Sequence, residues 1–180
     1  MPRFLFAPLL AIAALVPLSA AAATTVVSPE PLPDDGRPTV FLAGSIEMGR
    51  AGDWQQQVQA ALADLDVVLL NPRRADWNPA WRPEADEPEF RRQVEWELEA
   101  LERADLVLMY FVPGTQSPIT LLEFGLYARS GKLLLAAPAG YFRKGNLDIT
   151  AERYGVPRVE TLPALIDAVR ARLAASHPAP

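Results

Sequence analysis

The chain has 180 residues, half of them hydrophobic, with 17 basic and 22 acidic residues and a net charge of -5. This composition predicts one globular domain with a sizeable core, and the acidic balance argues against a nucleic-acid polymer as partner. The absence of cysteine excludes thiol nucleophiles and disulfides. The single histidine, His177, lies in a Pro-Ala tail, which excludes Ser-His-Asp catalysis and argues against a histidine-based metal site.

The first 23 residues have the pattern of a secretory signal peptide. Arg3 precedes an apolar run from Phe4 to Leu18, and small residues follow from Ser19 to Ala23. This predicts cleavage near Ala21 to Ala23, export to the periplasm, and no stable membrane anchor in the mature protein. The alternative is an uncleaved anchor, because the apolar run is barely long enough to span a bilayer.

A proline-rich segment and one α/β domain follow. Residues 24–38 are predicted to be an extended linker outside the core, residues 39–174 the domain, and residues 175–180 a tail. The domain's predicted strands are 39–43, 67–70, 106–112 and 132–136, with a short edge strand at 158–160. Its predicted helices are 54–63, 88–103, 117–130 and 161–174, and 141–155 is a loop with at most one helical turn. Because the strands are continuous apolar runs, they indicate a parallel, doubly wound α/β sheet.

Glu123 is the first candidate for chemistry. It lies between Leu122 and Phe124 in a helix that is apolar almost all round, so the helix is expected to be buried. Ser117 and Pro118 open that helix, with Ser117 as the predicted N-cap. Burial of an ionised carboxylate in such a helix costs free energy, so the group is expected to be paired with a cation, protonated or used in chemistry. The position near the carboxyl end of a central strand is where open α/β sheets bind ligands.

Glu97 is the second candidate. The preceding helix has a predicted inward stripe of Phe90, Val94, Leu98 and Leu101, and Glu97 falls on that stripe. Two carboxylates in different environments can divide nucleophile and acid roles. The alternative is a structural ion pair between Glu97 and an arginine at the edge of the core.

The loops after the strands supply the candidate ligand-binding residues. Arg73 and Arg74 could hold a phosphate or orient a glutamate, or they could form surface ion pairs with the acidic segment 84–89. The aromatic side chains Trp77, Trp81, Trp96 and Tyr110 could stack on a base or sugar, or pack in the core. Ser117 could bind an anion or only cap its helix. Gly44 and Ser45 form either a simple turn or a close approach to a ligand.

Several motifs occur in an order that resembles the nucleoside 2-deoxyribosyltransferase-like superfamily. They extend from Val40 to about Leu173 and include FLAGSI (41–46), NPRR (71–74) followed by Trp77, QVEWE (93–97), PGTQSPITLLEFG (113–125) and RKGNLDI (143–149). The match is closest to the bacterial branch that carries NPRR and SPITLLE. The resemblance implies a single flavodoxin-like (Rossmann-like) domain with a five-stranded parallel sheet flanked by helices.

The resemblance also implies roles for individual residues. Glu123 falls on the nucleophile that attacks the anomeric carbon of a 2-deoxyribosyl group, and Glu97 falls on the acid that helps to protonate the leaving base. Ser117 stands where transferases carry an aspartate, which is more similar to the branch that hydrolyses deoxynucleoside 5′-monophosphates. Asn146 resembles an asparagine contributed by a neighbouring subunit, which implies a homo-oligomer. The substrate-binding residues predicted in all are Gly44, Ser45, Asn71, Arg73, Arg74, Trp77, Tyr110, Ser117 and Asn146.

These observations favour an exported enzyme that cleaves or transfers an N-glycosidic bond of a small-molecule nucleoside or nucleotide. No cofactor or metal is indicated, because the sequence has no GxGxxG after the first strand, no P-loop and no metal-ligand cluster. One alternative is a non-catalytic module that binds a nucleotide or sugar phosphate in the same cleft. Another is a structural partner domain with an inert cleft.

Overall fold

Five α-helices and six short strands form the part of the chain, residues 22–176, that the computed structural model describes. The strands are β1 (Thr24–Val27), β2 (Thr39–Gly44), β3 (Val68–Asn71), β4 (Leu106–Tyr110), β5 (Leu133–Ala136) and β6 (Arg158–Val159). The helices are α1 (Trp54–Ala61), α2 (Pro88–Arg103), α3 (Pro118–Tyr127), α4 (Lys144–Tyr154) and α5 (Leu162–Ser176). The predicted signal peptide, apart from its last two residues, and the predicted tail after Ser176 lie outside the described residues.

All the strands pair in parallel in one sheet of order β1-β3-β2-β4-β5-β6. Without β1, this is the order of flavodoxin-like folds, so the predicted α/β class is confirmed. The strand order reverses at β2, which lies between β3 and β4. Loops from the carboxyl ends of these strands therefore surround the crevice where ligands bind in such sheets.

The sheet has six strands rather than the five predicted, because part of the expected linker is a strand. Thr24–Val27 pairs in register with Val68–Asn71 at the edge of the sheet. Beyond it, Leu32 packs against the core and the indole Nε1 of Trp96 donates to the carbonyl oxygen of Glu30 at 2.7 Å. The linker was predicted from its prolines. The β-branched residues of the preceding run TTVV nevertheless favour a short edge strand.

The core lies on both faces of the sheet. Leu42 and Leu108 face α1 and α5, whereas Phe41, Val107 and Met109 face the side covered by α2, α3 and α4. All five of these side chains are fully buried, as the continuous apolar strands predict. The two layers of helices therefore place α2 and α3, which carry the candidate carboxylates, on the same face.

Two predictions about the helices on this face are wrong. The α3 helix is not buried all round, since Ile119, Leu122 and Leu126 are each nearly 60% exposed. A helix packed on a sheet is covered on one side only, so apolar residues on its outer side remain in solvent. The segment predicted as a loop contains the eleven-residue helix α4. It packs through Leu147 and Ala151, one turn apart, and the tertiary contact offsets its weak helical propensity.

Candidate active site

Glu123 and Glu97 lie close enough for the charge of one to act on the other. Glu123 is 8% exposed on α3, and Glu97 is half-buried on α2. Burial raises the pKa of Glu123 to about 8, with the Glu97 charge adding to the effect. Burial also raises the pKa of Glu97. Because the two charges repel each other, the two carboxylates are not both ionised near neutral pH.

Gln93, which the sequence analysis did not single out, contacts Glu97. Its amide Nε2 donates to Glu97 Oε1 at 2.8 Å and to the carbonyl of Pro72 at 2.9 Å, while its Oε1 accepts from Ser28 Oγ at 2.6 Å. A donated hydrogen bond favours the ionised form of Glu97. Glu123, with a pKa of about 8, is therefore the group that stays protonated near neutral pH.

The inward face of α2 differs from the predicted stripe. The buried residues are Gln93, Trp96, Ala100 and Leu101, whereas Leu98 is 41% exposed. The face is rotated because Trp96 fills the space against Phe41, at a ring-centroid distance of 6.3 Å. Glu97 still borders this face, and among the described residues no arginine or lysine forms an ion pair with it. The structure thus does not support the ion-pair alternative for Glu97.

Ser45, Thr115 and Ser117 form a buried triangle of hydroxyl groups at the ends of β2 and β4. The Oγ of Ser117 donates to Ser45 Oγ at 2.6 Å, and Ser45 lies 2.8 Å from Thr115 Oγ1, which donates to the carbonyl of Val112 at 2.7 Å. Ser117 occupies the N-cap position of α3 but makes no side-chain capping bond. The predicted capping role is therefore wrong, because the hydroxyl turns inward to the triangle.

Glu47 binds the backbone just before α3. It lies in a 3₁₀ turn (Glu47–Gly49) after β2, and its Oε1 accepts from the backbone N–H groups of Gln116 and Ser117, both at 2.7 Å. Arg50 Nη2 donates to the second oxygen at 2.9 Å. The bonds from Ser117 and Gln116, helped by Arg50, hold the pKa of Glu47 below its ordinary value. Sequence reasoning missed this residue because the contact joins segments 70 positions apart.

Gly44 is required by the packing of the chain itself. At its φ of +154°, a Cβ atom would lie 2.4 Å from the carbonyl oxygen of Tyr110 and 2.7 Å from the Trp54 ring. Trp54 Nε1 also donates to the carbonyl of Ser45 at 2.8 Å. Close packing within the protein, against Tyr110 and Trp54, therefore accounts for this glycine, and the approach of Gly44 to a ligand stays a prediction.

Tyr110 lies on the opposite face of the sheet from Glu123. Its ring packs edge-on against Trp54 at 5.6 Å, beside a cavity of about 460 Å³ whose lining includes Leu162 of α5. Another cavity, of about 310 Å³, lies near Arg37 and Asp105, at the amino ends of β2 and β4. Neither cavity is lined by Glu97 or Glu123, so the structure does not bring Tyr110 together with the carboxylate pair.

The remaining predicted residues follow β3 or lie on α4. Asn71 is buried, and its Oδ1 accepts from the backbone N–H of Arg73 at 2.9 Å. Arg74 pairs with Asp76 at 2.7 Å and with Glu89 at 3.6 Å, which agrees with the ion-pair alternative. Trp77 packs against Trp81 at 5.2 Å, and Arg74 lies over the Trp81 ring. Asn146 is exposed on α4.

Comparison with known proteins identifies the family. A sequence profile described as "Nucleoside 2-deoxyribosyltransferase like" matches residues 37–141, more than half of the chain. The chain belongs to the nucleoside 2-deoxyribosyltransferase-like family. The matched region includes Glu47, Gln93, Glu97, Ser117 and Glu123 and ends before Asn146. Membership is consistent with a glycosyl-transfer role.

A structural relative supports the fold of this family member. A crystal structure of a conserved protein from Enterococcus faecalis V583 superposes with a TM-score of 0.53 and 13% sequence identity. The comparison covers 76% of this chain and 99% of the other. At this identity the likeness shows the fold alone. No curated protein matches the sequence.

Within residues 22–176 of the nucleoside 2-deoxyribosyltransferase-like protein, no group of three or more acidic or histidine side chains is arranged to hold a metal ion. In the same range, no helix has the length and apolar character needed to cross a membrane.

The carboxylate pair predicts an unusual dependence of stability on pH. Because the folded pKa of Glu123 lies near 8 and its ordinary value is 4.5, the folded state binds this proton more tightly than the unfolded state. The stability from this group is fully present below about pH 4.5 and is lost as the pH rises through about 8. We expect wild type to lose on the order of a few kcal/mol over this window relative to Glu123→Gln.

Urea unfolding of both proteins between pH 4.5 and 8.5 measures this difference. Subtracting the two curves cancels the contributions of the titratable groups other than Glu97, whose ionisation is coupled to that of Glu123. Glu99→Gln is the control, since Glu99 is exposed and pairs with Arg103 on the outer side of α2. Curves that stay parallel for wild type and Glu123→Gln would show that Glu123 ionises normally.

Proposed function

We propose that this protein cleaves or transfers the N-glycosidic bond of a 2-deoxyribosyl-type nucleoside or nucleotide, with Glu123 as nucleophile and Glu97 as the assisting acid. The observation that carries the proposal is the pair itself. Glu123 is buried and Glu97 half-buried on different helices, the charge of Glu97 acts on Glu123, and neither is neutralised by an arginine or lysine among the described residues. Such a pair has no evident stabilising purpose, and perturbed acids cluster at functional sites.

The first half of the proposed reaction forms a covalent glycosyl-enzyme. The proton of the pair passes from Glu123 to Glu97, which frees an oxygen of Glu123 to attack the anomeric carbon. As the new C–O bond forms, the C–N bond breaks and its electron pair leaves with the base, which takes the proton from Glu97. The ester removes the charge of Glu123, so the buried Glu97 carboxylate no longer faces a second negative charge.

The second half releases the sugar. A water molecule, or the N–H group of a second base, gives its proton to Glu97 and bonds to the anomeric carbon from the side of the departed base. The C–O bond to Glu123 breaks and its electron pair returns to the carboxylate. Two displacements on opposite faces give net retention of configuration. Gln93 supports both halves, because its hydrogen bond holds Glu97 in place while the proton moves.

Chromatography of the protein incubated with deoxynucleosides and their 5′-monophosphates, with and without a free acceptor base, tests the proposal. We expect free base to accumulate without acceptor if water is the second substrate, and exchanged nucleoside to form with acceptor if a base is. If no species changes although a nucleoside or nucleotide binds, the cleft belongs to a non-catalytic binding module and the proposal fails. If nothing changes and nothing binds, the cleft is inert and the proposal fails equally.

Two further proposals concern the location of the protein and its oligomeric state. We propose export to the periplasm on the strength of the amino-terminal pattern in the sequence, where the enzyme would act on scavenged nucleosides or related N-glycosides. We also propose a homo-oligomer in which a second copy contributes Asn146 to the site. The exposure of Asn146 on α4 is compatible with that role.

A further inference from the structure

The segment after β1, residues 28–33, lies along α2 as a strap. Trp96 Nε1 donates to the carbonyl of Glu30 at 2.7 Å, and Arg103 Nη2 donates to the carbonyl of Pro33 at 2.7 Å. An extended run from Glu30 to Pro33 spans about 10 Å, which matches the rise from Trp96 to Arg103 along a helix, also about 10 Å. The strap therefore follows the helix that carries the second carboxylate.

Ser28 is the buried end of the strap. It is 3% exposed, and its backbone N–H donates to the carbonyl of Asn71, the last residue of β3, at 3.0 Å. The N–H of Glu30 donates to the carbonyl of Val27 at 2.9 Å and closes a turn after β1. The side chain of Ser28 is thereby directed at α2, where its Oγ donates to Oε1 of Gln93 at 2.6 Å.

The direction of each hydrogen bond around Gln93 is fixed by its partners. The carbonyl of Pro72 can only accept, so the amide nitrogen faces Pro72 and, with its second hydrogen, Glu97. The amide oxygen then faces Ser28, whose hydroxyl has to donate. This orientation is the same whether or not Glu97 is ionised, because Pro72 holds the nitrogen in either state. Two of these bonds form a chain that runs from the strap to the carboxyl group of Glu97.

Loss of the Ser28 hydroxyl would leave a buried acceptor without a partner. Gln93 is 5% exposed, and among the residues that the structure describes only Ser28 donates to its Oε1. A buried polar group without its hydrogen bond costs free energy, so the amide would turn towards another donor. Its nitrogen would then leave Glu97, and the carboxyl group would lose the contact that fixes its position.

We propose that Ser28 is a positioning residue for the acid Glu97 and acts through Gln93. This inference rests on the proposed N-glycosidic function, in which Glu97 gives a proton to the leaving base and takes one from the second substrate. Proton transfer requires the two heavy atoms to lie within hydrogen-bonding distance, and a displacement of about 1 Å can cost about 10²-fold in rate. The strap precedes the region matched by the family profile, which begins at residue 37.

The kinetic test measures kcat and KM for base release in wild type, Ser28→Ala, Ser28→Thr and Arg103→Ala. We expect Ser28→Ala to lower kcat about tenfold, the effect of one buried hydrogen bond, with KM nearly unchanged. Ser28→Thr keeps the hydroxyl and should restore most of the rate. Arg103→Ala removes a different bond between the strap and α2 and should keep the wild-type kcat. An unchanged kcat in Ser28→Ala, no recovery in Ser28→Thr, or an equal loss in Arg103→Ala would overturn the proposal.

A double-mutant cycle tests whether the effect of Ser28 passes through Gln93. Gln93→Met keeps the length of the side chain and removes the amide nitrogen and oxygen. In this background, Ser28→Ala should lower kcat by less than about twofold, because the link to Glu97 is already absent. A further loss of about tenfold would show that Ser28 acts by another route and would contradict the proposal.

A titration without turnover separates failure of this inference from failure of the proposed function. In Glu123→Gln, Glu97 is the remaining ionisable member of the pair, and the ¹³C NMR shift of its carboxyl group reports its pKa. Because the hydrogen bond from Gln93 favours the ionised form, we expect Ser28→Ala in this background to raise that pKa by about half a unit or more. Arg103→Ala should leave it in place. An unchanged pKa in Ser28→Ala would refute the role of Ser28 even if nucleosides are cleaved. The expected pattern in a protein that cleaves nothing would support the role of Ser28 and refute only the reaction.

Discussion

Glu123→Gln is expected to reduce base release by about 10³-fold or more, since loss of a nucleophile removes the covalent route altogether. The amide has the shape of the protonated carboxyl group that the free protein holds at this position, so the packing around residue 123 stays in place. Single-turnover base release with excess enzyme measures the effect on chemistry apart from product release. A variant that retains wild-type rates would rule out Glu123 as the nucleophile.

The same substitution should leave the protein folded and more stable at neutral and alkaline pH. A buried group that the solvent would ionise is replaced by one that stays neutral, which removes the cost of keeping Glu123 protonated. A gain in stability with a loss of activity is the pattern expected at a functional site. A thermal melt of Glu123→Gln at pH 8 therefore accompanies the kinetic measurement and separates lost chemistry from lost structure.

Glu97→Gln is expected to lower base release by about 10²- to 10⁴-fold, the usual contribution of a positioned acid or base. The effect should be largest for bases that leave poorly without a proton. Removal of the Glu97 charge also removes one cause of the high pKa of Glu123, so Glu123 should ionise at lower pH in this variant. Glu97 thus affects both the delivery of a proton to the base and the ionisation of Glu123.

The pH profile of kcat/KM distinguishes this role from a structural one. In wild type, activity should fall as the pH rises above about 8, where the pair loses its one proton. In Glu97→Gln this alkaline limb should be lost or displaced to lower pH, and Glu97→Asp should restore part of the wild-type profile. If the alkaline limb of the kcat/KM profile stays at the same pH in Glu97→Gln, proton transfer through Glu97 is contradicted.

The burial of Glu123 could be predicted because this glutamate breaks an otherwise apolar run. Glu123 stands between Leu122 and Phe124, and a charge at such a position requires a reason that local structure does not supply. The order of strands and helices could also be predicted from the sequence, because a buried parallel strand is a continuous apolar run. Both signals are local, within about one helix or one strand.

The parts that could not be predicted depend on contacts between distant segments. The Glu47 carboxylate meets the amide of Ser117, which is 70 positions away, and Ser28 meets Gln93 across 65 positions. No local pattern encodes such pairs. The rotation of α2 that exposes Leu98 likewise follows from the fit of Trp96 against Phe41, which is a property of packing. The strand β1 is stable only because β3 offers it a partner edge.

The central claim is a covalent bond between Glu123 and the sugar, and mass spectrometry of the acid-quenched protein tests it most directly. The protein is mixed with a deoxynucleoside, quenched during turnover, digested and mapped. We predict a mass increase of one deoxyribosyl group on the peptide that contains Glu123, absent from Glu123→Gln. Turnover that proceeds without an adduct on that peptide, or an adduct at another residue, would contradict the account.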